Sequence, residues 1–172
     1  MTTRLRLRTY GDPCLRKPTR PVVTVGPAEK LLIKELVPAM YAFDGTGLAA
    51  NQVGIDARIF VADVGEGPFA VIDPEILKAS AHQTVMEEGC LSFPGIHIKV
   101  KRPESIRVRY LNERNERVEA DLSGIPSKVF QHEIDHLNGL AIIDHASQAE
   151  KAKFKDQLAA LEAAYRKNKP HA

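Results

Sequence analysis

The run His132-Glu133-Ile134-Asp135-His136 constrains this chain more than any other feature, because two imidazoles at that spacing can share one ion only if the segment is helical. On a helix the two rings lie one above the other, and Glu133 stands beside them within reach of a water at the ion. The flanking sequence agrees. From about Pro126, Val129, Phe130, Ile134 and Leu137 fall on one side of a helical projection, Gln131, Asp135 and Asn138 lie elsewhere, and Gly139 suits the helix end. Two histidines leave a catalytic site incomplete, since such sites usually take three protein ligands and keep one position open. Zinc peptidases commonly supply the third ligand downstream, where this chain offers Asp144, His145 and Glu150, and the longer metzincin signature needs a histidine where Ile142 stands. Upstream, Glu87-Glu88-Gly89-Cys90-Leu91-Ser92 presents a thiol after a glycine that lets the backbone approach closely. Cys90 is the expected third ligand; the alternative is an inert thiol buried as a small apolar group.

The rest of the chain reads as an α+β domain: mainly antiparallel sheets around the central helix, with an N-terminal helix and a C-terminal helix. Leu31, Leu32, Leu36, Met40 and Phe43 recur at helical spacing after Pro27 and Glu29, which suit a first turn. GTGLAANQVG reads as a loop, and RIFVADV, FAVIDPEIL, IHIKV, SIRVRYLNE and ERVEADL read as short strands. RVRYLNERNERVEA alternates around its turn as a hairpin does. From Ser147 to Arg166 the chain is rich in Ala, Glu, Lys and Leu, a long exposed helix before a polar tail. With 172 residues, the span 1–172 suits one catalytic domain.

Composition narrows the function classes. The net charge of +2 comes from 24 basic and 22 acidic side chains dispersed along the sequence, which leaves no electrostatic footprint for nucleic acid. The opening MTTRLRLRTYGDP alternates Arg with Leu and lacks the apolar core of a secretory signal, and no run is long and apolar enough for a membrane span. A cytoplasmic protein is the expectation, with Cys14 and Cys90 kept as thiols and Cys14 engaged in packing. In Gly45-Thr46-Gly47-Leu48-Ala49-Ala50-Asn51-Gln52, small residues permit close approach of a substrate backbone, and the Gln52 amide can donate to an oxygen that gains charge.

GTGLAANQ, EEGCLS and QHEIDHLNG, in that order and at these separations, closely resemble the three signature segments of peptide deformylases, and TYGDPCLRKPTRPV, VIDPEI and the stretch around IIDHAS extend the resemblance over nearly the whole chain. It implies a hydrolase that removes the N-formyl group from the starting methionine of nascent proteins, releasing formate. Carried over residue by residue, it implies Cys90, His132 and His136 as metal ligands, Glu133 as general acid and base, and the Gln52 side chain and Leu91 amide as oxyanion donors. It further implies a formylmethionyl peptide bound as an added strand near Gly45, Thr46 and Gly47, beside Gly89, with Met86, Ile125, Val129 and the His132 ring walling the methionine pocket. The implied cofactor is one divalent ion, ferrous iron in the family's physiological form, although a Cys with two His also suits zinc, nickel or cobalt. The chain departs from the family pattern at Asn51, at Ser127 and at His97, positions that bear on pocket shape and peptide preference.

Two other classes keep part of the pattern. A zinc peptidase would use the same helix on internal amide bonds, and a non-catalytic binding protein could retain the three ligands while making no use of Glu133 and Gln52. A monomer is expected, and the Lys-rich end from KAKFKDQ to YRKNKPHA offers either a ribosome contact or a solvated helix face.

Overall fold

Seven strands and four helices, described over residues 5–168 of a computed structural model, build an α+β architecture. β1 (Gly47–Ala49), β2 (Ile59–Ala62), β3 (Phe69–Ala79), β6 (Ser105–Leu111) and β7 (Arg117–Ser123) form one antiparallel sheet in the order β1-β2-β3-β6-β7, while β4 (Gln83–Gly89) and β5 (His97–Pro103) form a separate antiparallel ribbon.

The four residues of β2 are all buried because the sheet is covered on both faces. Ile59 and Val61 face the helix α1 (Pro27–Ala42) together with Leu48 and Ile72, whereas Phe60 joins Phe130, Ile134 and Leu137 of the helix α2 (Gly124–Leu137). Pro27 opens α1, and the Glu29 carboxylate accepts the Gly26 N–H at 2.8 Å, as the sequence anticipates for its first turn. The buried face of α1 is Ile33, Leu36, Ala39 and Met40, while Leu31, one of the apolar residues recurring at helical spacing, is 60% exposed. β6 and β7 pair from Ser105 with Ser123 to Leu111 with Arg117, and the Asn112 side chain accepts the N–H groups of Arg114 and Glu116 in their turn.

Three segments differ from the sequence reading. Gly47 to Ala49, read as loop, pairs with β2 as a short edge strand, since ladder bonds along β2 offset the weak strand preference of Gly and Ala. Gln83 to Gly89, not read as a strand, pairs fully with β5; its adjacent Glu87 and Glu88 look loop-like in isolation, but alternation sends one out and one in. The C-terminal helix divides into α3 (Gln148–Lys153) and α4 (Lys155–Asn168) at Phe154, and it is not solvated all round. Phe154, Leu158 and Leu161 pack on a core formed by Phe93, Ile96, Ile98, Val100 and Ile142, and a side chain at Gly11 would meet Tyr165 and the backbone of Glu162. The polar residues 169–172 lie outside the described chain.

The entry segment laces the three signature stretches together. Arg8 N–H donates to the Gln52 carbonyl at 2.7 Å, Tyr10 N–H to Ser92 at 2.9 Å, and Thr19 N–H to Leu137 at 2.9 Å. It also forms a single turn at Pro13–Arg16, where the Asp12 carboxylate accepts the Cys14 N–H as a cap. Cys14 itself is half-buried, its thiol donating to the Asn51 carbonyl at 3.3 Å. Burial and the neighbouring Asp12 push that thiol up to about 12, so it stays protonated and packs as the sequence suggests.

Candidate active site

α2 enters the interior with His132 and His136 one turn apart, their ring centroids separated by 4.9 Å in an edge-to-face arrangement. Cys90 reaches the same point from the end of β4: its Sγ lies 3.2 Å from Nε2 of His136, and ligand atoms from Cys90, His132 and His136 fall within 4.8 Å of one another. That spread suits one ion at about 2.0–2.1 Å from each nitrogen and about 2.3 Å from the sulfur. Burial raises the Cys90 thiol pKa, yet the His136 charge and hydrogen bonds from both imidazoles outweigh it and hold the thiol at about 5, so the sulfur favours the thiolate form in which it binds metals.

His132 has a firm outer support. Its Nδ1 lies 3.0 Å from Oε2 of Glu88, leaving Nε2 for the cluster. Glu88 and Arg102 form a bidentate pair at 2.6 and 2.9 Å with both side chains 4% exposed, and Arg102 reaches on to Asp135 at 2.7 Å. Burial raises the Glu88 pKa, but the bonds from His132 and Arg102 prevail and hold the carboxyl at about 2. Removing one member of such a buried set strands an uncompensated charge, a cost of about 3–5 kcal/mol. Sequence reasoning assigned no role to Glu88 or Arg102. Strand alternation was the available signal for Glu88, since Thr84, Met86 and Glu88 share one side of β4 just before Cys90.

Glu133 is 4% exposed, with Oε2 buried and without a partner, and burial pushes its carboxyl pKa up. Gly47 of β1 lies directly against it: a Cβ there would collide with the Glu133 carboxylate, which explains the glycine by space alone. Gln52, 1% exposed, sits in the 3₁₀ turn Ala50–Val53, and its Oε1 accepts the Ala49 N–H at 2.9 Å. This contact fixes the amide so that Nε2 points toward Ser92 Oγ at 3.2 Å and Cys90 Sγ at 3.7 Å. Leu91 follows the thiol, its side chain so close that a Cβ on Gly45 would lie 2.7 Å from Cδ1.

These groups border a cavity of about 620 Å³ whose lining includes Gly45, Thr46, Gly47, Gln52, Met86, Gly89, Cys90, Leu91, Val129, His132 and Glu133. His136 lies behind this lining, 1% exposed. Ile125 is the exception among the expected residues: it projects from the first turn of α2 at 62% exposure and does not line the cavity. Leu7, Phe43, Pro94 and His97 line it instead, brought there by chain crossings that no local pattern announces.

The profile of the polypeptide deformylase family matches residues 4–152, a span that contains every residue of this site. The chain belongs to the peptide deformylase family. The peptide deformylase of Thermotoga neapolitana is 51% identical over 153 residues, covering 89% of this chain and 93% of that protein. The crystal structure of the Thermotoga maritima peptide deformylase superposes with a TM-score of 0.81 at 52% identity, covering 83% of this chain and 97% of that one. Peptide deformylase 1B of Arabidopsis thaliana, in complex with an inhibitor, gives a TM-score of 0.90 at 33% identity over 97% of this chain and 95% of its own. As a deformylase the chain is a metal-dependent hydrolase that removes the N-formyl group from nascent peptides. No helix among the described residues is long and apolar enough to cross a membrane.

Proposed function

We propose that Cys90, His132 and His136 hold a ferrous ion and that Glu133, Gln52 and the Leu91 amide carry out formyl hydrolysis around it. The observation that carries this reading is the convergence of one thiol and two imidazoles within 4.8 Å against a cavity that Gln52 and Glu133 also line. When bound, the ion supplies Lewis acidity, which acidifies a water and polarises the formyl oxygen. Glu133, raised in pKa and free at Oε2, takes a proton from the attacking water and later delivers it to the leaving amine. Gln52 Nε2 and the Leu91 N–H donate to the formyl oxygen as it becomes negative. The C–N bond breaks, and formate and a free amino terminus leave.

The peptide lies extended between β1 and β4, each of which pairs on one side only, with Gly45, Thr46, Gly47 and Gly89 offering main-chain approach. Met86, Val129 and the His132 ring, which line the cavity, receive the methionine side chain. The chain acts as one catalytic domain over 1–172, as a monomer in the cytoplasm, with α4 as the face for any ribosome contact. Sedimentation of the intact protein with and without ribosomes tests these last assignments; a stable dimer would contradict them.

Zinc, nickel and cobalt suit the same donors, so the metal needs its own experiment. Protein prepared anaerobically should contain stoichiometric iron and lose iron and activity together in air, because a thiolate-held ferrous site is open to oxidation. Iron content and formate release that survive air unchanged would contradict the ferrous assignment.

A further inference from the structure

Asn51 stands just before Gln52 in the 3₁₀ turn Ala50–Val53 and is 2% exposed. Its Nδ2 donates to the carbonyl of His136 at 2.5 Å, across 85 residues of sequence. The Cys14 thiol donates to its carbonyl from the other side. The ring of His136 presents Nε2 to Cys90 Sγ, which makes Nδ1 the nitrogen remote from the ligand cluster. A neutral imidazole that ligates through one nitrogen carries its proton on the other, and ligating histidines almost always donate that N–H to an acceptor. For His132 the acceptor is Glu88.

For His136 the partner is less evident. Among the described residues, four buried side-chain atoms have no hydrogen-bond partner: Arg8 Nε, Asn51 Oδ1, Glu133 Oε2 and His136 Nδ1. Buried polar groups are rarely left unpaired, so complementary orphans on touching residues are informative. Arg8 Nε is another donor, and Glu133 faces the cavity beside Gly47. Asn51 Oδ1 is an acceptor on a residue already bonded to His136, and it is the unpaired buried acceptor that pairs by chemistry with the unpaired Nδ1.

We propose that Asn51 is the positioning residue of His136, holding the main chain through Nδ2 and the ring tautomer through Oδ1. The two ligating histidines are then oriented by different chemistry, one by a charged carboxylate and the other by a neutral amide. The same turn also ties the expected oxyanion donor Gln52 to the ligand helix. The proposal rests on the ligand set proposed above.

Zinc-loaded protein carrying ¹⁵N-histidine tests it by NMR. The His136 Nδ1–H should be observable and slow to exchange in the wild type. In Asn51→Ala it should exchange rapidly, and the zinc dissociation constant should rise about 10–100-fold with the circular dichroism unchanged. Asn51→Asp keeps an acceptor for Nδ1 but loses the Nδ2 donor to the His136 carbonyl, so its proton should exchange more slowly than in Asn51→Ala and faster than in the wild type. A freely exchanging His136 Nδ1–H in the wild type, an Asn51→Ala protein that binds zinc as tightly as the wild type, or an Asn51→Asp protein no more protected than Asn51→Ala would each overturn the proposal. If Asn51→Ala fails to fold, the wild-type spectrum decides alone, a protected Nδ1–H supporting the proposal and a freely exchanging one overturning it. A wild type that binds no zinc would overturn the ligand set instead, which separates the two failures.

Discussion

Replacing Cys90 with alanine should abolish stoichiometric metal binding and lower formate release from formyl-Met-Ala-Ser by about 10³-fold or more. Sγ is the one soft donor in the cluster and arrives from β4, while both imidazoles come from α2. Without it the two histidines still lie one turn apart, but a two-ligand site binds a divalent ion weakly and leaves it exchangeable. The Lewis acidity lost with the ion is worth several kcal/mol of transition-state stabilisation, and each 1.36 kcal/mol is tenfold in rate. The fold should persist, because Cys90 only borders the core built on Phe93, Ile96 and Ile142. Metal analysis beside circular dichroism checks both halves. A Cys90→Ala protein that retains one tightly bound ion would remove the thiol from the ligand set.

Glu133→Ala should behave in the opposite way toward the metal, keeping one ion per chain while turnover falls about 10²–10⁴-fold, the range for loss of a general acid or base. Its carboxylate makes no hydrogen bond through Oε2 and lies against Gly47, so its removal leaves Cys90, His132 and His136 in place. Glu133→Gln preserves the shape and should lose nearly as much, since the amide cannot take the proton. Gln52→Ala provides the comparison: loss of one oxyanion donor costs about 10²–10³ in turnover with the pH profile little altered. A metal-replete Glu133→Ala enzyme with wild-type turnover would end the proton-transfer assignment.

The parts of this protein that were legible in sequence are those fixed by local periodicity. α1, α2 and the β6–β7 hairpin announce themselves through helical or alternating spacing, and the HEIDH run states its own geometry. β1 and β4 were missed because their stability comes from partners: Gly47 to Ala49 has little strand preference, and the two glutamates of β4 conceal an alternation that buries only one of them. Cys90 was readable from its glycine neighbour and its chemistry. Its support by Glu88 and Arg102 was not, because a bond from Glu88 to His132 joins residues 44 apart and depends on how β4 crosses α2. Ile125 shows the reverse error: the resemblance implied a pocket wall there, but the start of α2 leaves it exposed and outside the cavity lining.

The most direct test of the account is formate release by the anaerobic, ferrous-loaded protein offered formyl-Met-Ala-Ser beside unformylated Met-Ala-Ser. Formate should appear in step with new amino termini from the first peptide, and the second should remain intact. Absence of formate from the metal-replete protein, or cleavage of the internal peptide bonds of either substrate, would contradict it.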